Sequence, residues 1–405
     1  MYFARGLILS VNPMSDRIIV WAKVWGIAAT QGAMTLCWVI YNLYFPILLV
    51  QFGFSKEFAV TLLIVENALE AFIEPLFGAI ADNQQQKIGS KIPLISLGIG
   101  MSSVLFILLP IVVIFTTPTE IWRWVLPALA VIWASAMAIF RAPTMALLRQ
   151  TAPTNKLPQA ASILSLVGGV VGAFRFDAYG VIISLGAGFA FAIGSIALLA
   201  AGAMLRWLNP PGFPKIKDRQ PQKEPESNLK FVLVFLTGIS VAWSLRFLIP
   251  TVNNFLTLEW GEAYTKIAMT LFFVGLGLTA LPVGKIATKW GNSRGILFGC
   301  GLTIISSHLV KNLDVSSAKI ALILIIIIGF SFVLNGAIPF VLALINKSRS
   351  GFGLGVYFGG LSAGVSFFDI VFKNLMKLSS DFNLTGSTLA LLLIILWILL
   401  SSNFE

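Results

Sequence analysis

The 405-residue sequence predicts an all-α polytopic membrane protein with twelve transmembrane helices in two six-helix bundles. Three observations predict it. Hydrophobic residues make up 57% of the chain and charged residues 11%, against about 25% charged in soluble domains. Twelve apolar spans each supply the ~20 residues that cross a bilayer core. One long polar segment divides those spans six and six.

Residues 1–23 mix Arg5, Asp16, Arg17 and Lys23 with apolar residues. No small-residue cleavage site follows a clean apolar core, so they read as a cytoplasmic or interfacial lead-in. Residues 24–208 form the first bundle, with spans near 24–52, 57–81, 92–115, 121–148, 158–183 and 187–207. Only the Gly-rich break Leu185-Gly186-Ala187-Gly188 separates the fifth span from the sixth. Residues 209–228 carry Pro210, Pro211, Pro214, Pro221 and Pro225 among Lys215, Lys217, Arg219 and Lys223. Proline and charge forbid a packed helix there, so the segment is a cytoplasmic linker. Residues 229–405 form the second bundle, with spans near 229–256, 264–288, 294–312, 318–346, 351–373 and 384–401.

The net charge of +11 raises the question of nucleic acid, but the basic residues are scattered over short loops. With both termini cytoplasmic, eighteen Lys and Arg fall in inside segments, seven in outside ones and three within spans. That asymmetry is the positive-inside pattern of a multi-pass protein, here expected in the plasma (inner) membrane. Lipid is the partner it implies, and nucleic acid is not expected. Cys37 and Cys300 both lie in apolar runs, so no disulfide framework is indicated. No Cys/His cluster points to a metal, and no Walker loop points to ATP. No cofactor and no enzymatic activity are expected.

The second span carries Glu66, Glu70 and Glu74 four residues apart. On a helix that spacing drifts by about 40° per step, so the carboxylates form one stripe. Each ionised carboxylate at mid-bilayer costs roughly 2.5–3.5 kcal/mol, so the stripe faces the protein interior or a wet cavity. Neighbouring carboxylates in a low-dielectric site titrate as a unit and can hold a proton or bind Na⁺. If Arg141 of the fourth span reaches Glu70 or Glu74, it neutralises one charge and leaves the other for a proton. The alternative is a static salt bridge locking the two helices together. Glu66, one turn nearer the outside, either lines a cavity or partners a nearby polar group.

Gln31, Thr35, Trp38, Tyr41, Asn42 and Phe45 recur at three- and four-residue steps, giving the first span a polar–aromatic face suited to a polyol. Trp133, Trp243 and Asn335 are similar candidates, although Trp and Tyr also fill cores. Arg175, followed by Asp177, interrupts the fifth span after Gly168, Gly169 and Gly172, and Arg246 stands mid-way along the seventh. Buried arginines present a rigid fork to carboxylates, phosphates or sugar hydroxyls. For Arg175 the alternative is pairing with an acidic residue; Arg246 has no acid in its own span. Asp369 and Lys373 are spaced for an i,i+4 bridge. His308, the only histidine, is expected to be structural.

The halves echo each other. Gly78-Ala79-Ile80-Ala81-Asp82, with Gly89 after it, ends the second span; Gly284-Lys285-Ile286-Ala287-Thr288, with Gly291 and Arg294, ends the eighth. These residues are the candidate cytoplasmic loop gate, together with Lys91. Six plus six spans with a repeated loop is the sequence pattern of a parallel two-half transporter.

The run Glu74-Pro75-Leu76-Phe77-Gly78, then Asp82, Gly89, Lys91 and Pro93, resembles the loop of the major facilitator superfamily. Its seven-residue step from Asp82 to Gly89 is similar to the glycoside–cation symporters (melibiose permease-like) and the sucrose transporters. Arg141-Ala142-Pro143-Thr144-Met145-Ala146-Leu147-Leu148 resembles the end of the fourth span in the latter. The resemblance implies a major facilitator fold and a secondary active transporter working by alternating access. The implied substrate is a small polar organic solute, a sugar above others. Coupling to H⁺ or Na⁺ is implied through positions that fall on Glu70 and Glu74, with H⁺ preferred from the residues. Three features depart from the family. Arg141 stands where the symporters carry an acid, and their sugar-binding acid falls near Met34. The loop's basic run shrinks to Ser90-Lys91-Ile92, which is expected to weaken the charge latch. These departures leave open a non-transporting membrane scaffold or assembly factor on the same fold.

Overall fold

The computed structural model describes residues 18–176, 179–209, 227–313, 315–372 and 379–402. Most of the lead-in, linker residues 210–226, Asp177 and Lys373 therefore lie outside the described residues. Among the described residues twelve long helices follow one another: α1 (Trp21–Gln51), α2 (Lys56–Ile88), α3 (Ile92–Phe115), α4 (Val125–Ala146), α5 (Leu157–Gly172) and α6 (Ala187–Leu208). The second half supplies α7 (Asn228–Trp260), α8 (Glu262–Trp290), α9 (Asn292–Asn312), α10 (Ser316–Leu344), α11 (Ser350–Phe372) and α12 (Ser380–Ser401). Among the described residues, eleven helical segments are long and apolar enough to cross a membrane. The remaining long helix is α2, whose three glutamates and polar end from Asp82 to Lys87 lower its apolar character.

Two boundaries differ from the sequence expectation. Helix α2 continues to Ile88 instead of ending near 81, and Gly89 stops it in the left-handed conformation at φ 77°. The fifth span is not one helix. It tightens into a 3₁₀ turn at Ala173–Arg175 and resumes only as the short helix Tyr179–Ser184. Arg175 Nε donates to the Gly172 carbonyl at 3.0 Å, so a cation satisfies an end-of-helix acceptor that a continuing helix would use.

Within the first half, α1 packs on α5 and α6, α3 on α4 and α6, and α2 on α4. Within the second, α9 packs on α10 and α12, α7 on α11 and α12, and α8 on α10. Two seams join the halves: α2 against α11, and α5 against α8. Both depend on backbone meeting backbone. A Cβ on Gly355 would collide with the Glu74 carbonyl, and one on Gly284 would stand 2.7 Å from the Pro158 carbonyl. Small residues permit such approach in membranes, where van der Waals packing replaces the hydrophobic drive between helices. Gly78 and Gly284 of the repeated loops thus each lie on one seam.

Val20 N–H donates to the Thr151 carbonyl at 2.8 Å, which ties the start of α1 to the end of the fourth span. Trp397 Nε1 of α12 donates to Ser240 Oγ of α7 at 3.0 Å.

Candidate functional site

The glutamate row of α2 turns inward, because lipid would leave three charges unsolvated. Glu66, Glu70 and Glu74 are 1%, 3% and 0% exposed. Tyr41 Oη of α1 donates to Glu66 Oε1 at 2.6 Å. Ser362 Oγ of α11 donates to Glu70 Oε2 at 2.9 Å. Arg141 of α4 places Nη2 2.5 Å from Glu74 Oε1 and Nη1 3.6 Å from Glu70 Oε2. Its guanidinium also donates to Ser362 Oγ at 3.3 Å and lies 4.8 Å from the Phe358 ring centroid. The row is therefore bound by both halves: α1 and α4 from one, α11 from the other. Two of the three carboxylates, Glu70 and Glu74, share one guanidinium, while Glu66 meets only the Tyr41 hydroxyl among the described residues. Glu66 Oε2, Glu74 Oε2 and the nearby Trp133 Nε1 are buried with no hydrogen-bond partner among the described residues.

The other candidates separate into packed and reachable groups. Tyr41 and Trp133 are fully buried, their rings tilted by 33° with centroids 4.5 Å apart, and Phe106 stacks on Trp133 at 5.0 Å. Trp38 is half-buried and edges onto both rings; Gln31 is half-buried, and Asn42 is exposed with its amide on the Trp38 carbonyl. Trp243 Nε1 donates to the Gly364 carbonyl at 2.9 Å. Asn335 is buried and bridges α10 to α5, donating to the Pro158 carbonyl and accepting from Ser165 Oγ. His308 shares a hydrogen bond with Thr388, linking α9 to α12. Arg175 is exposed, with its guanidinium 4.9 Å from the Phe273 ring of α8. Arg246 finds its acid across the bundle: Nη2 lies 2.7 Å from Asp369 Oδ2 of α11. Asp369, expected to bridge Lys373 one turn along, meets Arg246 of α7; Lys373 lies outside the described residues.

Two of the candidate gate residues, Asp82 and Lys91, form a polar latch onto α11. Asp82 Oδ1 accepts from Gly351 N–H at 2.9 Å, and Oδ2 from Phe352 N–H at 2.7 Å. These are unpaired donors of the first turn of α11, where the helix dipole also favours an anion. Lys91 Nζ lies 2.5 Å from Asp82 Oδ1 and donates to Ser350 Oγ at 3.1 Å. The shortened basic run therefore does not weaken the latch: one lysine, 2% exposed, meets the acid directly. Burial pulls the Lys91 ammonium below the usual lysine pKa of 10.5, and Asp82 opposes that pull. Raising pH thus neutralises Lys91 early and strips Asp82 of its cation. Asp82→Asn is expected to cost about 1.5–3 kcal/mol, the worth of charged hydrogen bonds. A Ser350→Cys reporter should react with a hydrophilic maleimide several-fold faster in that background, and its alkaline acceleration should exceed that of free cysteine; equal rates in the two backgrounds would contradict the latch. The second-half loop has no such acid. Gly291 opens α9 at φ 96°, and Arg294 is exposed beside Asn292 and Asn155 at a cavity of 320 Å³.

Two contributors were not singled out from sequence. Ser362 donates to Glu70, and Gly351, Gly355 and Gly359 carry α11 across α2. Their four-residue spacing was the available signal.

No family model matches the chain, and no curated protein does. Solved structures do. A bacterial homologue of the iron transporter ferroportin, outward-facing with soaked iron, superposes with a TM-score of 0.72 at 13% identity, covering 94% of this chain and 98% of that one. The same homologue in an outward-facing state gives 0.70 at 11% identity, covering 94% and 99%. The human organic anion transporter MFSD10 (TETRAN) gives 0.68 at 12% identity, covering 94% and 99%. Identity this low speaks to architecture alone. With the helix order and the two seams, it establishes an all-α polytopic membrane protein with the major facilitator fold.

Proposed function

We propose that this chain is a secondary active transporter that moves a small polar organic solute by alternating access between its halves, coupled to protons. The observation that carries the proposal is the α2 glutamate row, buried on the seam where the halves must part. Three ionised carboxylates against one guanidinium leave two charges uncompensated where water is excluded, and protonation is the least costly remedy. Arg141 occupies the space between Glu70 and Glu74 that a metal cation would need, which favours H⁺ over Na⁺. No cluster able to hold a metal ion occurs among the described residues.

A solute path is supported by half-exposed polar stripes. Gln31, Thr35, Trp38 and Asn42 follow one face of α1; Trp243, Arg246 and Asn253 follow one face of α7. Such groups are costly against lipid, so they line a wet chamber. In this reading the Asp82 end and both termini face the cytoplasm across a plasma (inner) membrane, an orientation the positive-inside pattern supports. With that end latched, the chamber opens outward, as in the outward-facing ferroportin homologue. A sugar suits the α1 stripe and the symporter resemblance, although Tyr41 and Trp133 are committed to the aromatic core. The similar structures do not choose a solute: one is an iron transporter homologue, another an organic anion transporter.

Purified protein in vesicles, given a solute panel under imposed pH or sodium gradients, tests this. Accumulation of a small polar organic solute with the pH gradient alone is expected. No accumulation under any gradient favours the scaffold alternative.

A further inference from the structure

We infer that the loop end of the α5–α8 seam is a binding site for a phosphate group, which there takes the part that Asp82 plays on the α2–α11 seam. The site does not depend on the transport proposal. The two seams are built alike. On the first, a Cβ on Gly78 would collide with the carbonyl of Gly351, the second residue of α11. On the other, a Cβ on Gly284 would stand 2.7 Å from the carbonyl of Pro158, the second residue of α5. A 3₁₀ turn leads into each facing helix, Lys347–Arg349 before α11 and Thr154–Lys156 before α5. Four residues beyond each glycine the likeness ends, with Asp82 on the first seam and Thr288 on the second. Asp82 accepts N–H groups of α11 and meets Lys91. Thr288 instead turns its hydroxyl onto the Gly284 carbonyl of its own helix at 2.8 Å.

In that place the second seam has a cavity of 320 Å³. Thr154 and Asn155 of the first half wall it on one side; Thr288, Asn292, Ser293 and Arg294 of the second half wall it on the other. Among the described residues no carboxylate lines it, and Arg294 forms no ion pair. Arg149 forms none either: its Nη1 donates to Thr154 Oγ1, and its Nε is buried without a hydrogen-bond partner. Because that oxygen accepts from Arg149, the Thr154 hydroxyl hydrogen is left to donate into the cavity. The first N–H groups of α9 have no acceptor in their own helix, and its N-cap, Gly291, has no side chain to serve them. The second seam thus keeps the cation of the latch and lacks the acid. Guanidinium forks and helix N-termini both bind phosphate. Donors arriving from several directions suit a tetrahedral phosphate better than a planar carboxylate. The free ion and an anionic phospholipid headgroup present that same group. Held there, it would touch the Thr154–Lys156 turn and the first turn of α9 at once, fastening the seam in its closed arrangement.

The test is thermal unfolding of the full-length protein, read by tryptophan fluorescence, in two arms. In detergent, sodium phosphate is titrated against sodium chloride at matched ionic strength. In nanodiscs, digalactosyldiacylglycerol alone is compared with the same lipid containing phosphatidylglycerol. Phosphate or phosphatidylglycerol is expected to raise the melting temperature by several degrees. A response to the ion alone names free phosphate as the source, a response to the lipid alone names the headgroup, and a response to both shows that either fills the site. Arg294→Gln should weaken the responding ligand about tenfold, with partial recovery in Arg294→Lys. Thr288→Asp restores the acid, so it should melt above wild type without ligand and respond to neither arm. That variant keeps the test valid if Arg294→Gln fails to fold. The inference is overturned if neither ligand raises melting beyond its control, if Arg294→Gln responds like wild type, or if Thr288→Asp does.

Discussion

Arg141→Leu is expected to be among the most damaging single substitutions in the chain, costing about 3–5 kcal/mol. Glu70 and Glu74, 3% and 0% exposed, would lose their only cation among the described residues. Ser362 alone cannot replace it, since it already donates to Glu70. The charge origin of the loss can be separated from lost packing over Phe358. Adding Glu70→Gln and Glu74→Gln to the leucine variant should restore most of the melting temperature, because neutral amides no longer need a counter-charge. Thermal unfolding of the single and triple variants measures both. A triple variant no more stable than Arg141→Leu would show that packing, not charge, explains the loss.

Gly355→Val should break the seam between the halves. A single Cβ there already meets the Glu74 carbonyl and stands 2.7 Å from Pro75 Cα, and neither backbone atom can move aside cheaply. Overpacking of this kind costs about 1–3 kcal/mol or more. The damage should be specific to place: a Cβ on Gly168 of α5 meets nothing within 4 Å, so Gly168→Ala should change stability by roughly 0.5 kcal/mol or less. Gly355→Val is also expected to abolish solute flux, since α2 and α11 could no longer close. Melting curves and vesicle uptake of the two variants check this, and equal behaviour would contradict the close seam.

Features written along one helix were legible in the sequence. Glu66, Glu70 and Glu74 in an apolar run admit few placements, and their inward turn and the reach of Arg141 follow from the cost of charge in lipid. The proline-rich division at 209–228 and the echo of Gly78 in Gly284 gave the expectation of two halves. Features depending on which helices meet were not legible. Arg246 and Asp369 lie 123 residues apart, so nothing local distinguishes that pair from Asp369 with Lys373. Tyr41 and Asn42 share the periodic face of α1, yet one is sealed against Glu66 and the other exposed; one residue of helical rotation decides between them. The loss of basic residues around Lys91 implied a weaker latch only because the α11 N-terminus, which shares the work, was out of view.

The central claim is that protons taken up by the buried row on α2 drive solute movement. Accumulation under an imposed pH gradient, measured side by side in vesicles holding wild type, Glu70→Gln or Glu74→Gln, tests it most directly. Wild type should concentrate its solute, while at least one glutamine variant should only equilibrate it. Undiminished pH-driven accumulation in both variants would contradict the account and leave Glu70 and Glu74 as a structural tie between α2, α4 and α11.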